Sequence, residues 1–284
     1  MRILTFDIED WFHILDHATT ASPTTWDKFE PRIRQNMEKI FRLIDDTNSK
    51  ATFFCMGWVA EKYPDVIRDI DQAGFEIGSH SNFHQLAYQQ TPEEFRNDLK
   101  TSICNIEDLI SKKVRAYRAP GFSITENNKW AFDVLVEEGI EIDCSIFPAK
   151  RNHGGFSGYK GQGPGMLATK SGVLKEFPIN IKYLSPSNPY VFSGGGYFRA
   201  LPYQFLRRAF GSNDYIMTYF HPRDFDPDQP IIPGLSLKRR FTSYYGLKNC
   251  LSKLKSILEE FDFIDLEEAN QMVEWSNIPI QNIN

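Results

Sequence analysis

Residues 51–80, ATFFCMGWVAEKYPDVIRDIDQAGFEIGSH, are the most informative about the fold because they predict two β-strands with a helix between them. Residues 51–56 form an apolar run of β-forming side chains, and residues 61–73 carry apolar side chains at helical spacing. Gly74 follows as a typical C-terminal helix cap, and residues 75–78 predict the next short strand. A strand, a helix and a strand in this order predict a βαβ unit in a parallel sheet.

The same alternation extends on both sides of this unit. Toward the N-terminus, residues 2–6 predict a strand and residues 32–46 a helix. Toward the C-terminus, the pattern predicts helices at residues 92–111 and 127–138 and strands at residues 113–117 and 140–143. Thr91 and Glu94 predict a capping box at the start of the first of these helices.

Beyond residue 145 the alternation loosens. Residues 150–172 are rich in Gly, Lys and Ser without periodicity and predict a long loop. The later pattern predicts strands at residues 173–181, 190–192, 215–220 and 264–266 and helices at residues 201–210 and 247–261.

The length of the chain is compatible with two small domains or with one α/β barrel of roughly 250 residues. We find no linker, internal repeat or low-complexity segment. We therefore predict a single domain over residues 1–284, with residues 150–172 as a loop insertion and a helical extension at the C-terminus.

Composition and charge argue against several functional classes. The formal net charge is −5, whereas a large nucleic-acid interface needs a basic face. No apolar run approaches the roughly 20 residues that span a bilayer, and the acids in MRILTFDIED do not fit a secretory signal. The four cysteines form no CxxC pair, which argues against a thiolate zinc site and fits a reducing compartment. We therefore predict a cytoplasmic protein with no nucleic-acid partner and no transmembrane segment.

Polar side chains follow the predicted strands at the points where the strands end. These residues are Asp7, Glu9 and Asp10, then His80 and His84, then Arg118, Asp143 and His221. In a β/α barrel the carboxyl ends of the strands open onto one face, where the active site lies. We therefore expect these residues to converge in space.

The spacing of His80 and His84 places both imidazoles on one face if they lie on a helical turn. Together with a carboxylate they would form a two-histidine, one-carboxylate site for zinc or a similar divalent ion. The crowded acids Asp7, Glu9 and Asp10 repel one another unless a cation lies among them. A metal would use one acid and leave another as a general base. Two surface histidines beside a solvated acidic turn are the simpler alternative.

Three further residues suggest catalytic roles. Arg118 can hold a carboxylate in orientation through a two-pronged hydrogen bond. Gly121 has no side chain, so the backbone can come close to the substrate and its N–H can donate a hydrogen bond to an oxyanion. His221 can protonate a leaving amine. A surface arginine before a turn and a hydrogen-bonded core histidine are the structural alternatives for Arg118 and His221.

The motifs TFDIED, SHSNFH, RAPGF and YFHP resemble those of the polysaccharide deacetylases, the family with the NodB-homology domain, or carbohydrate esterase family four. The resemblance is close over residues 2–145 and returns at residues 173–225. It implies an α/β fold, a distorted (β/α)7-type barrel, and removal of acetyl groups from N-acetylated sugars. It also implies a divalent metal held by one aspartate and two histidines, most often Zn²⁺, with Co²⁺, Ni²⁺ and Mn²⁺ as alternatives.

The resemblance assigns a role to each matching residue. Asp7 corresponds to the catalytic base, and His80 and His84 to the metal ligands. Arg118 corresponds to the arginine that orients the base, and Asp143 to an acid that supports this end of the site. His221 corresponds to the general acid. Residues predicted to contact the oxyanion or the substrate are Gly121, Phe122, Trp11 and Tyr197.

One departure from the family pattern leaves the metal carboxylate open. The common motif has two adjacent aspartates, whereas Ile8 and Glu9 separate Asp7 from Asp10 here. Strand alternation places Glu9 on the face of Asp7. Asp10 has the expected side-chain length and would serve if the strand has ended. We prefer Asp10 and retain Glu9.

The segments DIEDWF, LKEFPIN, SGGGYFRALPY and RRFTSYYGLKN resemble a subgroup found in bacterial exopolysaccharide and O-antigen clusters. This implies a nucleotide- or lipid-linked N-acetylated sugar, a precursor of a surface polysaccharide, as substrate. A deformylase or cyclic-amide hydrolase on the same scaffold, and an inactive glycan-binding module, remain alternatives. The HPRDFDP and LKRRF segments could contact phosphates of a carrier or form a solvated surface.

Overall fold

The first half of the chain builds parallel strands with helices between them. The computed structural model describes residues 1–15, 17, 19–20, 22–150, 154–185 and 188–283. The elements of the first half are β1 (Arg2–Ile3), β2 (Thr5–Ile8), α1 (Ile33–Thr47), β3 (Thr52–Cys55), α2 (Gly57–Lys62), α3 (Pro64–Gln72), β4 (Glu76–Ser79), α4 (Pro92–Ile110), β5 (Ala116–Tyr117), α5 (Trp130–Glu137) and β6 (Ile142–Asp143).

The second half adds shorter strands and a group of C-terminal helices. Its elements are β7 (Gly165–Ala168), β8 (Val173–Glu176), β9 (Lys182–Ser185), β10 (Asn188–Tyr190), α6 (Gly195–Ala200), α7 (Tyr203–Gly211), β11 (Ile216–Met217), α8 (Leu237–Tyr244), α9 (Cys250–Glu260), α10 (Leu266–Met272) and β12 (Ile280–Asn282). Within the described ranges, no helix combines the length and apolar character needed to cross a membrane.

An eight-stranded sheet joins both halves in the order β12-β7-β8-β6-β5-β4-β3-β2. Its strand pairs are parallel except for β7 with β8, which is antiparallel. Next to β2, β1 pairs in parallel with β11, and single bridges join Phe6 to Phe220 and Ile3 to Ile264. The sheet therefore curves around the N-terminal strand, and the prediction of an α/β fold of the distorted-barrel type is confirmed.

The strands around β2 and β3 are buried on both faces. Every residue of these two strands is buried, and the rings of Phe6 and Phe53 stack with centroids 5.3 Å apart. Fully buried parallel strands carry continuous apolar runs because helices cover the outside while side chains fill the inside. Asp7 interrupts this run, and burial of a carboxylate requires a specific partner.

Several predicted elements differ from the observed ones. The helix predicted at residues 61–73 is divided into α2 and α3 at Tyr63, because Pro64 lacks the N–H that a continuous helix requires. The predicted loop at residues 150–172 contains β7, whose four residues are too few for a clear periodicity. Residues 151–153 of that loop lie outside the described part of the chain. The capping box of Thr91 and Glu94 is present at the start of α4.

Candidate active site

A cavity of about 270 Å³ opens where the parallel strands end. Seven of the residues predicted from the sequence line it: Asp7, Glu9, His80, His84, Gly121, Phe122 and His221. Asp7 lies in β2, the turns after β2, β4 and β5 supply the next five, and the segment after β11 supplies His221. The structure thus brings together residues from both halves of the chain.

Glu9, His80 and His84 form a buried group with the composition of a metal site. One potential ligand atom of each lies within 4.8 Å of the others. His80 Nδ1 hydrogen-bonds to the Arg118 carbonyl at 2.8 Å, which leaves Nε2 as the ligand atom. Glu9 Oε2 lies 2.7 Å from His84 Nε2. Two imidazoles and one carboxylate are a donor set typical of zinc sites with an open position, so these residues fit a divalent ion.

His80 and His84 lie in a turn, and the prediction of a helical turn is wrong. His80 directly follows β4, and both Ser81 and His84 adopt left-handed backbone conformations, with φ of 64° and 52°. The His84 N–H donates to Ser81 Oγ at 2.9 Å, which closes the turn. The two ring centroids come within 5.2 Å of each other, so a tight turn achieves the proximity expected of a helix.

Asp10 points away from the cavity, so the geometry does not support our preference for it as the metal carboxylate. Its Oδ2 accepts hydrogen bonds from the N–H groups of Arg32 and Ile33, at 2.8 and 3.1 Å, at the start of α1. Its Oδ1 accepts from the Trp11 N–H at 2.7 Å. A carboxylate so placed satisfies donors that a helix start leaves unpaired. Glu9, the retained alternative, is the carboxylate that faces His80 and His84.

Arg118 holds Asp7 from behind the cavity. Its Nη1 donates to Asp7 Oδ1 and to Thr5 Oγ1, both at 2.7 Å, and its guanidinium packs over the Phe54 ring at 4.3 Å. Arg118 is fully buried, so this contact is shielded from solvent. The second oxygen, Asp7 Oδ2, lies 3.9 Å from His221 Nε2. Asp7 is therefore fixed with one oxygen engaged and one available to the cavity.

His221 is held by a carboxylate on its far side. Its Nδ1 and its backbone N–H both lie 3.0 Å from Asp224 Oδ2, and Arg199 contacts the other oxygen of Asp224 at 3.3 Å. Burial alone lowers the pKa of His221, but Glu9, Asp224 and Asp7 outweigh it and raise the pKa to about 9. His221 is therefore protonated at neutral pH, with Nε2 toward Asp7 and Glu9.

Asp143 lies behind the cavity wall and does not reach the cavity. Its Oδ1 accepts from the Ser145 hydroxyl at 2.6 Å, and Ser145 Oγ accepts from the Ala119 N–H at 2.8 Å. Burial raises the pKa of both Asp143 and its hydrogen-bonded neighbour Glu176. This geometry fits a supporting role, as the resemblance implied, and gives Asp143 no direct contact with reacting atoms.

Trp11 and Tyr197 also lie outside the cavity lining, in contrast to their predicted substrate contacts. Trp11 is buried because its ring packs edge-on against Phe12 and Phe29, and its Nε1 donates to the Glu30 carbonyl at 2.9 Å. Tyr197 projects to solvent on α6, where the neighbouring residues Gly195 and Gly196 line the cavity instead.

His13 is a cavity residue that the sequence pattern did not reveal. It is buried among the rings of Trp26 and Trp58, and its Nδ1 accepts from the Asp10 N–H at 2.9 Å. Burial lowers its pKa well below the ordinary range, so it is neutral, with its proton on Nε2. That buried Nε2 has no hydrogen-bond partner among the described residues. The only available signal was its position three residues after the acid cluster.

Comparisons with known families divide the chain in two. Residues 17–135 match the family model "Polysaccharide deacetylase", and residues 144–271 match a domain of unknown function, DUF3473. The solved structures show the same fold. A structure from Mycobacterium smegmatis, described as a polysaccharide deacetylase, has a TM-score of 0.68 at 18% identity and covers 98% of this chain and 91% of its own. A CE4-family pseudoenzyme from Bacillus anthracis has a TM-score of 0.50 at 12% identity over 94% of this chain and 64% of its own.

Curated relatives match part of the chain. A peptidoglycan-N-acetylglucosamine deacetylase from Bacillus cereus is 33% identical over 94 residues, 33% of this chain and 34% of that protein. A peptidoglycan deacetylase from Helicobacter pylori is 25% identical over 121 residues, 43% of this chain and 39% of that protein. The chain thus spans little more than a third of the length of these relatives. Residues 17–135 of this chain therefore match the polysaccharide deacetylase family, the carbohydrate esterase family four with the NodB-homology domain, and the chain shares the fold of a solved structure described by that name.

Proposed function

We propose that this protein is a metal-dependent N-deacetylase that removes acetyl groups from an N-acetylated amino sugar. The observation that carries the proposal is the arrangement of three polar groups around one cavity. The metal-type group of Glu9, His80 and His84 lies beside the buried base Asp7, and Nε2 of the protonated His221 lies 3.7 Å from Glu9 and 3.9 Å from Asp7. Members of this family hydrolyse amide bonds, and a metal site, a general base and a general acid together can carry out this reaction.

The geometry suggests how the chain handles protons during hydrolysis. When bound, a divalent ion supplies Lewis acidity and a nucleophile at neutral pH. Asp7, oriented by Arg118, removes a proton from the attacking water. His221 gives its Nε2 proton to the amine as the C–N bond breaks, which yields acetate and a free amino sugar. The proton held by Asp7 then returns to His221 and resets both groups; Asp7 Oδ2 and His221 Nε2 lie 3.9 Å apart, so this return requires a small approach of the two side chains.

We propose zinc as the ion and a surface-polysaccharide precursor as the substrate. Two histidines and a carboxylate favour zinc over the harder ions that prefer oxygen ligands alone. The subgroup resemblance supports a nucleotide- or lipid-linked sugar handled in the cytoplasm, and the free cysteines Cys55, Cys104, Cys144 and Cys250 fit a reducing compartment.

We also propose that residues 1–284 act as one domain, although two family models divide the chain. β8 of the second half pairs with β6 of the first, and β1 pairs with β11. The cavity draws on residues from both matched segments. These contacts support a single catalytic unit.

The decisive experiment measures acetate release from nucleotide-linked and lipid-linked N-acetylated sugars by purified protein. We expect release that chelator abolishes, added Zn²⁺ restores, and Asp7→Asn lowers at least about 100-fold, the usual scale for loss of a general base. Asp108→Asn is the matched control because Asp108 is exposed on α4, outside the cavity. A protein that binds one ion but releases no acetate from any of these substrates would contradict the deacetylase proposal.

A further inference from the structure

Among the described residues, the second half of the chain contributes three arginines to the cavity, Arg199, Arg223 and Arg239. We propose that Arg223 and Arg239 form an anion subsite, so that the substrate is an N-acetylated sugar carrying a negatively charged group beside the reacting acetamide. This inference rests on the proposed deacetylase function and narrows its substrate class. Phosphoryl esters and carboxylates share the required chemistry, since both offer oxygens to a guanidinium.

Arg199 is already fully engaged and does not belong to the subsite. Its Nε contacts Asp224 Oδ1 at 3.3 Å, and its Nη1 and Nη2 donate to the carbonyls of Ser243 and Thr242 at 2.6 and 2.9 Å. Arg199 therefore anchors α8 and supports the His221–Asp224 pair.

Arg223 lacks a comparable set of partners. No carboxylate in the described part of the chain lies within ion-pair distance of it, and its buried Nη2 has no hydrogen-bond partner there. Its guanidinium lies 5.7 Å from the centre of the Tyr244 ring. This ring contact helps to position the guanidinium but does not cancel its positive charge. Burial lowers the pKa of Arg223, as expected for a cation removed from water. An anionic ligand would supply the missing acceptor and charge.

Arg239 approaches the same cavity from α8. One of its nitrogens, Nη2, donates to the carbonyl of Leu15, which also lines the cavity. No ion pair of Arg239 with a described residue is present. This single backbone contact fixes the guanidinium beside the cavity and leaves its other N–H groups for a ligand.

In the described part of the chain, the carboxylates that line the cavity do not neutralise these two arginines. Asp7 is paired with Arg118, Asp224 is shared by His221 and Arg199, and Glu9 belongs to the metal-type group. A divalent ion at that group would add further positive charge. A cavity with such a surplus favours an anionic substrate over a neutral glycan of the same shape.

The test measures binding to metal-free protein by calorimetry, independently of turnover. The probes are N-acetylglucosamine 1-phosphate, an N-acetylated amino-sugar uronic acid and the neutral methyl glycoside of N-acetylglucosamine. We expect the unmodified protein to bind at least one charged probe at least tenfold more tightly than the neutral one. Arg223→Gln and Arg239→Gln should each remove most of that difference. Which charged probe binds more tightly identifies phosphoryl or carboxylate as the source of the anion.

Arg240→Gln is the matched control, because Arg240 is exposed on the same helix, one position from Arg239 and outside the cavity lining. It should retain the full preference. If Arg223→Gln fails to fold, the Arg239→Gln variant alone decides the test, since Arg239 is partly exposed. Equal affinity for charged and neutral probes, or an unchanged preference in both variants, overturns the subsite.

The same variants separate this inference from the deacetylase proposal. Acetate release without preference for charged substrates would overturn the anion subsite and leave the deacetylase standing. Arginine-dependent binding of a charged probe without acetate release from any substrate would support the anion subsite and overturn the deacetylase proposal.

Discussion

Asp7, Glu9 and Asp10 show how neighbouring acids acquire different tasks from their surroundings. Asp7 accepts a hydrogen bond from the buried guanidinium of Arg118, and Glu9 lies beside the two imidazoles of the metal-type group. Asp10 accepts hydrogen bonds from the first N–H groups of α1. Burial raises the pKa of Glu9, but His84, His221 and His80 reverse this and hold it well below its usual range. Burial raises the pKa of Asp10 to about 6 despite three backbone donors. Glu9 is therefore charged and suited to an ion, whereas Asp10 is structural.

This division predicts opposite phenotypes for two substitutions. Glu9→Gln should weaken Zn²⁺ binding by more than the roughly 10–100-fold typical of losing a supporting contact, with a small effect on folding of the metal-free protein. Asp10→Ala should retain one bound ion but lower the free energy of unfolding by about 1–2 kcal/mol through loss of the helix cap. Metal titration and urea unfolding of both variants measure this. Loss of metal in Asp10→Ala with retention in Glu9→Gln would restore our first preference.

Substitution of Asp224 should change the pH profile of the proposed deacetylase activity. Its carboxylate is one of the groups that raise the pKa of His221, so His221 stays protonated below about pH 9. Activity that needs this proton should fall as the pH rises through the pKa of His221. Asp224→Asn removes the charge and should move this alkaline limb to lower pH. The profile of kcat/KM against pH for both proteins measures the shift, and identical limbs would contradict the role of His221 as acid.

At the scale of elements, the sequence predicted long amphipathic segments well and short strands poorly. α1 and α4 were predicted within a residue or so because apolar spacing and a capping box mark them. β11 has only two residues, and β12 at the C-terminus was not predicted. Such strands exist because tertiary neighbours complete them, and periodicity cannot register so few positions.

From the sequence, only those site residues that lie near the ends of predicted strands could be identified. Asp7, His80 and His221 come at the ends of predicted strands, so the predicted topology alone indicates that they converge. The choice between Glu9 and Asp10 depended on where β2 ends and α1 begins. His13 and Arg239 reach the cavity through turns and a helix that give no such signal.

Glu76, the first residue of β4, is a carboxyl group whose ionisation should affect stability. Glu76 Oε2 accepts hydrogen bonds from Thr52 Oγ1 at 2.6 Å and from the Glu267 N–H at 3.0 Å. Burial, aided by Asp265, raises the pKa of Glu76 to about 7. A carboxyl whose pKa is higher in the folded state contributes stability that is fully present below its unfolded pKa. That stability is lost as the pH rises toward 7.

Glu76→Gln should therefore remove this pH dependence, because an amide oxygen can accept both hydrogen bonds without ionising. We expect the variant to be more stable than the unmodified protein at pH 8, by roughly 2 kcal/mol, and similar to it near pH 4.5. Urea unfolding at the two pH values measures the difference. A constant offset at both pH values would show that the Glu76 carboxyl does not titrate between them.

At the scale of the whole molecule, the central question is whether the two matched segments fold together. Leu174 in β8 is fully buried in the core cluster that also contains Phe6 and Trp26, although it belongs to the second segment. Four of the five tryptophans, Trp11, Trp26, Trp58 and Trp130, lie in the first half, so tryptophan fluorescence mainly reports on that half. In one cooperative unit, a defect in β8 must destabilise the surroundings of these tryptophans.

Leu174→Ala should lower the free energy of unfolding by about 2–5 kcal/mol, the usual cost of such a cavity. If the halves form one unit, the midpoint of the fluorescence transition should fall to lower urea by the amount that circular dichroism records for the whole chain. Leu237→Ala is the control because Leu237 is 85% exposed on α8, and it should shift neither transition. If the fluorescence midpoint stays in place while part of the dichroism signal is lost early, the segments unfold separately. The cavity would then lie between two domains, and the arginines of the second would reach the metal-type group across an interface whose stability controls activity.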